Sequence, residues 1–427
     1  MCQAETMTDF AIAARAEPPA QTAPRIQTLQ LRLLWLAGVS GSIVFIEPSP
    51  YEVVLVVALV VFAATGLKLA PALLVPLVLL AGINFGYSIG ALELFGDPVV
   101  LSWILTSWYM AAAAILFALV LSQDTAPRLD ALSRGYLAGA VIASLAAIAG
   151  YFNLIPGGAD LLTYAGRARG TFKDPNVLGA FLIFPALFAL QRILAGSLRS
   201  ALRNALVFAI LSLAIFLAFS RAAWGTLAGS TLLMVFLMTI TASSPQKRFR
   251  ILLLAALAVV LAIAALAVLL SFDQIDSLFK ERASFNQPYD TGRFGRFGRH
   301  LLGAAMALDY PFGIGPLQFR NFFPEDTHNS FLNAFMSGGW ISGILYPVLV
   351  FTTAIHGARN VLLRTPWQRN YIAVFSTLFV TLLESFIIDT DHWRHYYLLI
   401  GVTWGVVVAS GRWRNEGAGV AASTETA

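Results

Sequence analysis

Long apolar segments recur along most of this chain, and they constrain its fold more than any other feature. About twelve are read from the sequence, centred near 31–47, 51–67, 69–89, 98–121, 134–152, 176–194, 203–220, 223–240, 250–271, 330–355, 369–388 and 395–411. Roughly 20 apolar residues of helix are needed to cross a bilayer core. The segments are rich in Leu, Ala and Val and lack the alternation of membrane β-strands. We therefore predict an all-α, polytopic helical membrane protein with about 12 transmembrane helices.

Composition and charge agree with a chain that exposes most of its surface to lipid. Hydrophobic residues make up 58% of the sequence and charged residues 12%, about half the charged share of a water-soluble domain. The net charge of +5 raises the question of nucleic-acid binding. Basic residues in the predicted cytoplasmic loops of a membrane protein explain this charge better than nucleic-acid binding does. We therefore expect no nucleic-acid partner. Cys2 is the only cysteine, which excludes an intrachain disulfide.

The predicted loops show the charge asymmetry that sets orientation in a membrane. With the N-terminus placed inside, more than half of the 28 Lys and Arg residues fall on the cytoplasmic side. Both termini are then cytoplasmic, with a disordered tail over 1–30, a transmembrane domain over 31–415 and a second tail over 416–427. Two outward segments, 151–176 and 272–328, are longer than turns, and we expect the second to carry short helices.

The first outward segment ends in a basic motif bracketed by glycines, Gly166–Asn176. Arg167, Arg169 and Lys173 precede a predicted helix start at Asn176, where free backbone N–H groups favour an anion. The simpler interpretation is a collar of basic side chains that reach the lipid headgroups. Basic residues are disfavoured on the outer face, so the motif predicts an anion site.

A second motif, Ser220–Arg221, joins two apolar segments with almost no loop between them. An ionisable side chain at membrane depth is costly unless it is paired, so it indicates function by default. The alternative is an arginine that only reaches the headgroups.

A third motif, Thr327–Phe331, leads from the large outward segment into the next predicted helix. The ordinary pKa of a histidine, about 6.5, suits His328 to take a proton from a sugar hydroxyl. A lone histidine is also often a hydrogen-bonded structural residue, and both interpretations stay open. We count Asn329 with His328 as a candidate substrate-binding residue.

Two further clusters have equally open interpretations. Arg293 lies in the large segment, with Arg296 and Arg299 after it at helical spacing, and these arginines bind phosphate or pair with loop acids.

The Asp389–His395 segment has carboxylates and histidines for a divalent metal, but also the aromatic residues of a membrane interface. Because its spacing matches no strong metal motif, we predict no metal and no cofactor.

Taken in order, these motifs resemble the O-antigen ligase and O-antigen polymerase superfamily of bacterial membrane proteins. The resemblance covers roughly 166–343 and the Asp389–His395 segment, and it is carried by Arg169–Asn176, Ser220–Arg221, Gly292–Arg293, Pro311–Gly315, His328–Leu332 and Gly338–Gly343. One position departs from the family. Ser337 stands where members often have a glutamate, which puts any acid role at that position in doubt.

The resemblance implies a metal-independent, inverting glycosyltransferase in the bacterial inner membrane, with its active site facing the periplasm. Its partners would be an undecaprenyl-diphosphate-linked glycan, membrane lipids and an acceptor, either the lipid A core or a growing glycan. The family's essential polar residues fall on Arg169 or Arg167, Arg221 and His328, and a loop arginine falls on Arg293. His328, Arg221 and Arg169 are thus the predicted catalytic residues, while Arg167, Lys173, Asn176, Arg293 and Asn329 are predicted to bind substrate.

Other functions are weighed against this one. A flippase or secondary transporter would place ionisable residues near the bilayer midplane, whereas here they lie at the outer helix ends. A metalloprotease or serine hydrolase would show one of the known catalytic motifs, and none appears. Within the superfamily, a ligase and a polymerase of O-antigen or exopolysaccharide share these motifs. The position of the histidine after the large segment favours a ligase slightly.

Overall fold

The computed structural model describes residues 24–46, 48–284, 290 and 292–425, and these residues form fifteen α-helices and one short hairpin. In chain order the helices are α1 Pro24–Ser40, α2 Pro50–Thr65, α3 Leu74–Gly90, α4 Pro98–Leu121, α5 Thr125–Tyr151, α6 Gly158–Leu162, α7 Pro175–Ala195, α8 Leu198–Leu217, α9 Arg221–Thr241, α10 Pro245–Leu269, α11 Asp273–Ala283, α12 Arg296–Asp309, α13 Ser330–Val361, α14 Gln368–Glu384 and α15 Arg394–Glu425. The strands β1 Thr163–Tyr164 and β2 Arg167–Ala168 pair between α6 and α7.

Each of the twelve apolar segments falls on one of the longer helices, so the helical membrane class agrees with the prediction. Among the described residues, eight helices are long and apolar enough to cross a membrane. They are α3 with its preceding turn, α4, α5, α7, α8, α9, α10 and α13. The total of about 12 spans stays a prediction.

Helices extend into both segments that were predicted as tails, and the domain bounds themselves stay a prediction. Residues 1–23 lie outside the described part of the chain, but α1 already begins at Pro24. The side chain of Gln30 is buried, donates to Thr65 Oγ1 at 2.8 Å and accepts from Arg128 at 3.1 Å, and these tertiary contacts accompany the early helix start. At the other end, the backbone of α15 stays helical to Glu425, and residues 426–427 lie outside the described part.

Within this all-helical structure, one short hairpin is the only β element among the described residues. Ala165 and Gly166 have φ angles of 49° and 72°, as required at the two central residues of a tight hairpin turn. Thr163 pairs with Ala168 and Tyr164 with Arg167. The basic motif is therefore folded back on itself before α7 begins.

Packing places α7 at the centre of the bundle and α10 at its edge. In their apolar windows, 83% of the residues of α7 are buried but only 6% of those of α10. Four helix pairs pack most closely along their length: α3 with α13, α1 with α5, α4 with α15, and α7 with α8. A helix exposed to this extent is stable only when its apolar surface faces lipid.

A break in α13 holds the end of the large segment against the bundle. Gly339 has φ 61° and ψ −154°, a conformation available essentially only to glycine. Backbone groups near the break form hydrogen bonds with the large segment. Trp340 N donates to Pro311 O at 2.9 Å, and Met336 O accepts from Ile314 N at 2.7 Å. The kink thus docks residues 311–314 beside the helix.

Replacing Gly339 with alanine should destabilise the protein by about 1–3 kcal/mol, because the residue must hold a glycine conformation and its new Cβ would overlap Pro311 O. A lower melting temperature in detergent would measure this. Gly225→Ala is the matched control, because Gly225 lies within α9 with nothing within 4 Å of an added Cβ. Equal melting of the two variants would contradict the role of the kink.

Candidate active site

Several connecting segments meet at one end of the bundle, and they carry the predicted site residues. Arg167, in the hairpin, donates from Nε to Ala218 O at 2.8 Å, next to the α8–α9 connection. Arg221, the first residue of α9, donates to Ser284 O in the large segment at 2.9 Å. Thr327 Oγ1 donates to Asp389 Oδ1 at 2.8 Å, joining the large segment to the α14–α15 connection. Segments far apart in sequence are therefore in direct contact.

The carboxylate of Asp389 shapes the turn that carries His328. It accepts hydrogen bonds from Thr327 Oγ1, from His328 N at 2.9 Å and from Asn329 N at 2.8 Å. His328 has φ 46°, a left-handed conformation that is uncommon for a residue with a side chain. Strained backbone of this kind clusters at functional sites, and here three hydrogen bonds hold it in place.

The imidazole of His328 lies between two carboxylates and is about one-third exposed. Its Nδ1 is 3.7 Å from Asp389 Oδ2, and its Nε2 is 3.8 Å from Glu325 Oε2. Burial lowers the pKa of His328 below 6.5, and the positive charges of Arg296 and Arg299 lower it further against the opposing effect of Glu325. The ring is therefore mostly neutral at pH 7 and able to accept a proton.

The arginines of the large segment pair with loop acids, which was one of the two open interpretations. Arg299 is 2% exposed, and its Nη2 is 2.7 Å from Glu325 Oε2. Arg296 Nε is 3.3 Å from Asp290 Oδ1. Arg293, the arginine singled out by the resemblance, is exposed instead, with its guanidinium 5.7 Å from the Phe294 ring centroid.

Arg221 belongs to the same network. Its Nη2 lies 2.6 Å from Asp290 Oδ2, so one buried carboxylate contacts both Arg221 and Arg296. Ser220 starts the helix by accepting a hydrogen bond from Ala223 N at 3.4 Å. The tight α8–α9 connection therefore aims the guanidinium of Arg221 at the large segment.

The two arginines of the hairpin make different contacts. Arg167 donates from Nη2 to Asn176 Oδ1 at 2.7 Å as well as to Ala218 O. The Nε of Arg169 donates to Leu161 O at 3.3 Å, towards α6. Arg167 is thus the one in contact with the connection that carries Arg221.

Asn329 caps a helix in this structure. Its side chain accepts from Leu332 N at 3.0 Å and donates to Phe386 O at 3.1 Å, so both ends of the amide are engaged at the start of α13. Substrate contact by Asn329 stays a prediction.

Two cavities open at this end of the bundle. The polar cavity, about 130 Å³, is lined by Trp103, Thr327, Asn333, Asp389, Asp391 and His392 among others. The basic cavity, about 150 Å³, is lined by Lys173, Asp174 and Arg394 together with aromatic and aliphatic residues. His392 lines both cavities.

Arg221 and His328 line neither of these cavities, and a charged network links them instead. Arg296 makes the link, because it pairs with the same Asp290 as Arg221 and donates to Ile387 O at 3.3 Å, in the connection whose Asp389 holds the His328 turn. Sequence patterns gave no sign of Trp103 or Asn333. The Asp389–His395 segment was recognised, but its contacts with the His328 turn were not. Among the described residues, no three His, Cys, Asp or Glu side chains stand close enough to share a metal ion.

Comparison with known families identifies the middle of the chain. Residues 206–346 match the family model described as O-antigen ligase. The match confirms the predicted superfamily, spans about a third of the chain and includes Arg221, Arg293 and His328. No curated protein matches the chain significantly.

Proposed function

We propose that this protein is an O-antigen ligase-type glycosyltransferase of the bacterial inner membrane. It would move a glycan from undecaprenyl diphosphate to a hydroxyl of the lipid A core on the periplasmic face, without a metal and with inversion. The observation that carries the proposal is a contact path between His328 and Arg221, both within the residues that match the family model, through Asp290, Arg296 and the α14–α15 connection.

The chemistry follows from the charges of these groups. The acceptor oxygen attacks the anomeric carbon opposite the leaving group, the bond from that carbon to the diphosphate oxygen breaks, and the acceptor proton passes to His328. Negative charge grows on the departing diphosphate, and fixed arginines stabilise it as a metal ion would. Arg221 is assigned this role, with a hairpin arginine beside it and Arg293 assisting from the large segment.

The contacts of the hairpin favour Arg167 over Arg169 as the partner of Arg221, because Arg167 touches the α8–α9 connection directly. Asn176 would orient Arg167 through their hydrogen bond. Lys173, exposed in the basic cavity, would contact the diphosphate near the membrane surface.

Gene deletion followed by gel analysis of lipopolysaccharide tests the proposal. A ligase predicts core without O-chain and accumulation of lipid-linked polymer. Core that carries a single repeat unit would indicate a polymerase, and an unchanged ladder with loss of capsule or slime would indicate exopolysaccharide synthesis. Both of these outcomes overturn the ligase assignment.

Replacing Arg296 with glutamine should move the acidic limb of the pH profile of kcat/KM upwards by about half a pH unit. Arg296 lowers the pKa of His328, so removing its charge raises that pKa, and the neutral base is then lost at a higher pH. Arg250, in the first turns of α10 at the opposite end of the bundle, provides the control Arg250→Gln. Identical profiles for both variants would argue against His328 as the titrating base.

A further inference from the structure

The polar cavity has no part in the chemistry proposed so far, yet it adjoins the candidate base. Thr327 and Asp389 line it, and both belong to the hydrogen-bonded turn that holds His328. A ligand in this cavity would therefore lie directly beside the His328 turn.

Two residues of its wall each have a buried polar atom without a hydrogen-bond partner among the described residues. Asp391 is 1% exposed, and its Oδ2 accepts from Asn333 Nδ2 at 2.7 Å, but its Oδ1 accepts nothing. The Nε2 of His392 is likewise buried and unpartnered. Burying a polar atom without a partner is unfavourable, and a ligand that bonds to these atoms would remove that cost.

The chemistry of the wall restricts what that ligand is. Asp326, Asp389 and Asp391 lie on it and no lysine or arginine does, so the wall offers no positive charge to a phosphate. Among the residues the structure describes, no group of three or more His, Cys, Asp or Glu side chains that could hold a metal ion is found here. Ligands rich in hydroxyl groups suit this wall, since hydroxyls donate and a carboxylate oxygen only accepts hydrogen bonds.

Apolar groups complete the match to a sugar. Trp103, Phe319 and Met336 form part of the wall, and a sugar ring has C–H faces as well as hydroxyls. The rings of Trp103 and His392 are stacked with centroids 3.9 Å apart, which fixes the orientation of the imidazole. The polar groups are therefore held in place before a ligand arrives.

We infer that the polar cavity binds one uncharged sugar residue of a glycan substrate. Ring hydroxyls would donate to Asp391 Oδ1 and hydrogen-bond with His392 Nε2. Which glycan this sugar belongs to rests on the proposed function, and its place beside the His328 turn points to the acceptor.

Binding is tested first, without any transfer reaction. The full chain in nanodiscs is titrated with glucose, galactose and N-acetylglucosamine, and contact is followed by saturation-transfer NMR. We expect at least one sugar to bind saturably and Asp391→Asn to weaken that binding roughly tenfold. The control Asp276→Asn changes an acid of α11 that pairs with Lys280 outside the cavity, and it should bind as the wild type does.

His392→Phe is a second variant, which keeps an aromatic ring against Trp103 but removes Nε2. His392→Phe keeps the inference testable if Asp391→Asn does not fold. The melting temperatures of both variants show whether they are folded. Absence of any sugar signal up to the solubility limit, or equal binding by the wild type and both folded variants, overturns the inference.

Kinetics then identify the source of the sugar. In a transfer assay, Asp391→Asn should raise the KM of the glycan that occupies the cavity about tenfold and change kcat much less. A higher KM for the acceptor supports the placement beside His328, whereas a higher KM for the donor overturns it. If the wild type transfers no glycan, the proposed function fails, but the binding titration still decides whether the cavity binds a sugar.

Discussion

Replacing His328 with alanine is expected to lower the rate of glycan transfer by about 10²–10⁴-fold, the usual contribution of a general base. Burial, Arg296 and Arg299 all lower the pKa of the imidazole, which favours the neutral ring that can take the acceptor proton. Single-turnover assays with purified lipid-linked donor measure the loss directly. The acidic limb of the wild-type profile should lie below pH 6.5, and the variant should lack this limb.

Folding and insertion should survive this substitution. The turn around His328 is held through its backbone by Asp389, and the imidazole itself lies beyond hydrogen-bond distance of both neighbouring carboxylates. His356→Ala is the matched control, because this histidine lies near the far end of α13. Transfer by His328→Ala at the wild-type rate, with normal expression, would remove the base assignment.

Replacing Arg221 with alanine should reduce kcat by about 10²–10³-fold, as expected for the loss of one fixed donor to a developing negative charge. The kcat of Arg221→Lys should fall between those of the wild type and Arg221→Ala. Lysine keeps the positive charge but loses the planar fork that suits phosphate oxygens. The measurement is kcat at saturating donor, together with the KM of the lipid-linked donor.

The pair between Arg221 and Asp290 offers a rival explanation, that Arg221 only holds the large segment in place. Asp290→Asn separates the two possibilities. It removes the charge of the carboxylate that Arg221 contacts and leaves the guanidinium present. If Arg221 acts on the diphosphate, Asp290→Asn should cost much less activity than Arg221→Ala. Equal losses, accompanied by equal drops in melting temperature, would show that the arginine is structural.

The long helices were predictable because their signal is local. Each apolar segment satisfies its own backbone hydrogen bonds as a helix and needs no knowledge of its neighbours. The same holds for the starts of α7 and α9, where Asp174 and Ser220 cap the first turn. The order of the motifs also predicted the superfamily, which the O-antigen ligase family match confirms.

Other features depend on partners far away in sequence. The helical start at Pro24 accompanies contacts of Gln30 with Thr65 and Arg128, and the hairpin at Ala165–Gly166 depends on a turn conformation that the resemblance did not reveal. Arg296 and Arg299 could equally have bound phosphate, and only the positions of Asp290 and Glu325 decide that they pair with acids.

The sequence by itself determined the helical membrane class, the positions of the long helices and the residues able to carry anion and proton chemistry, because hydropathy and residue type are properties of short segments. Tertiary structure alone decided which of these residues meet. Asp389 reaches His328 across 61 positions and Asp290 reaches Arg221 across 69, and such contacts depend on how the helices pack. The pKa of His328 and the unsatisfied oxygen of Asp391 follow from that packing, since both depend on charges and donors brought from other segments.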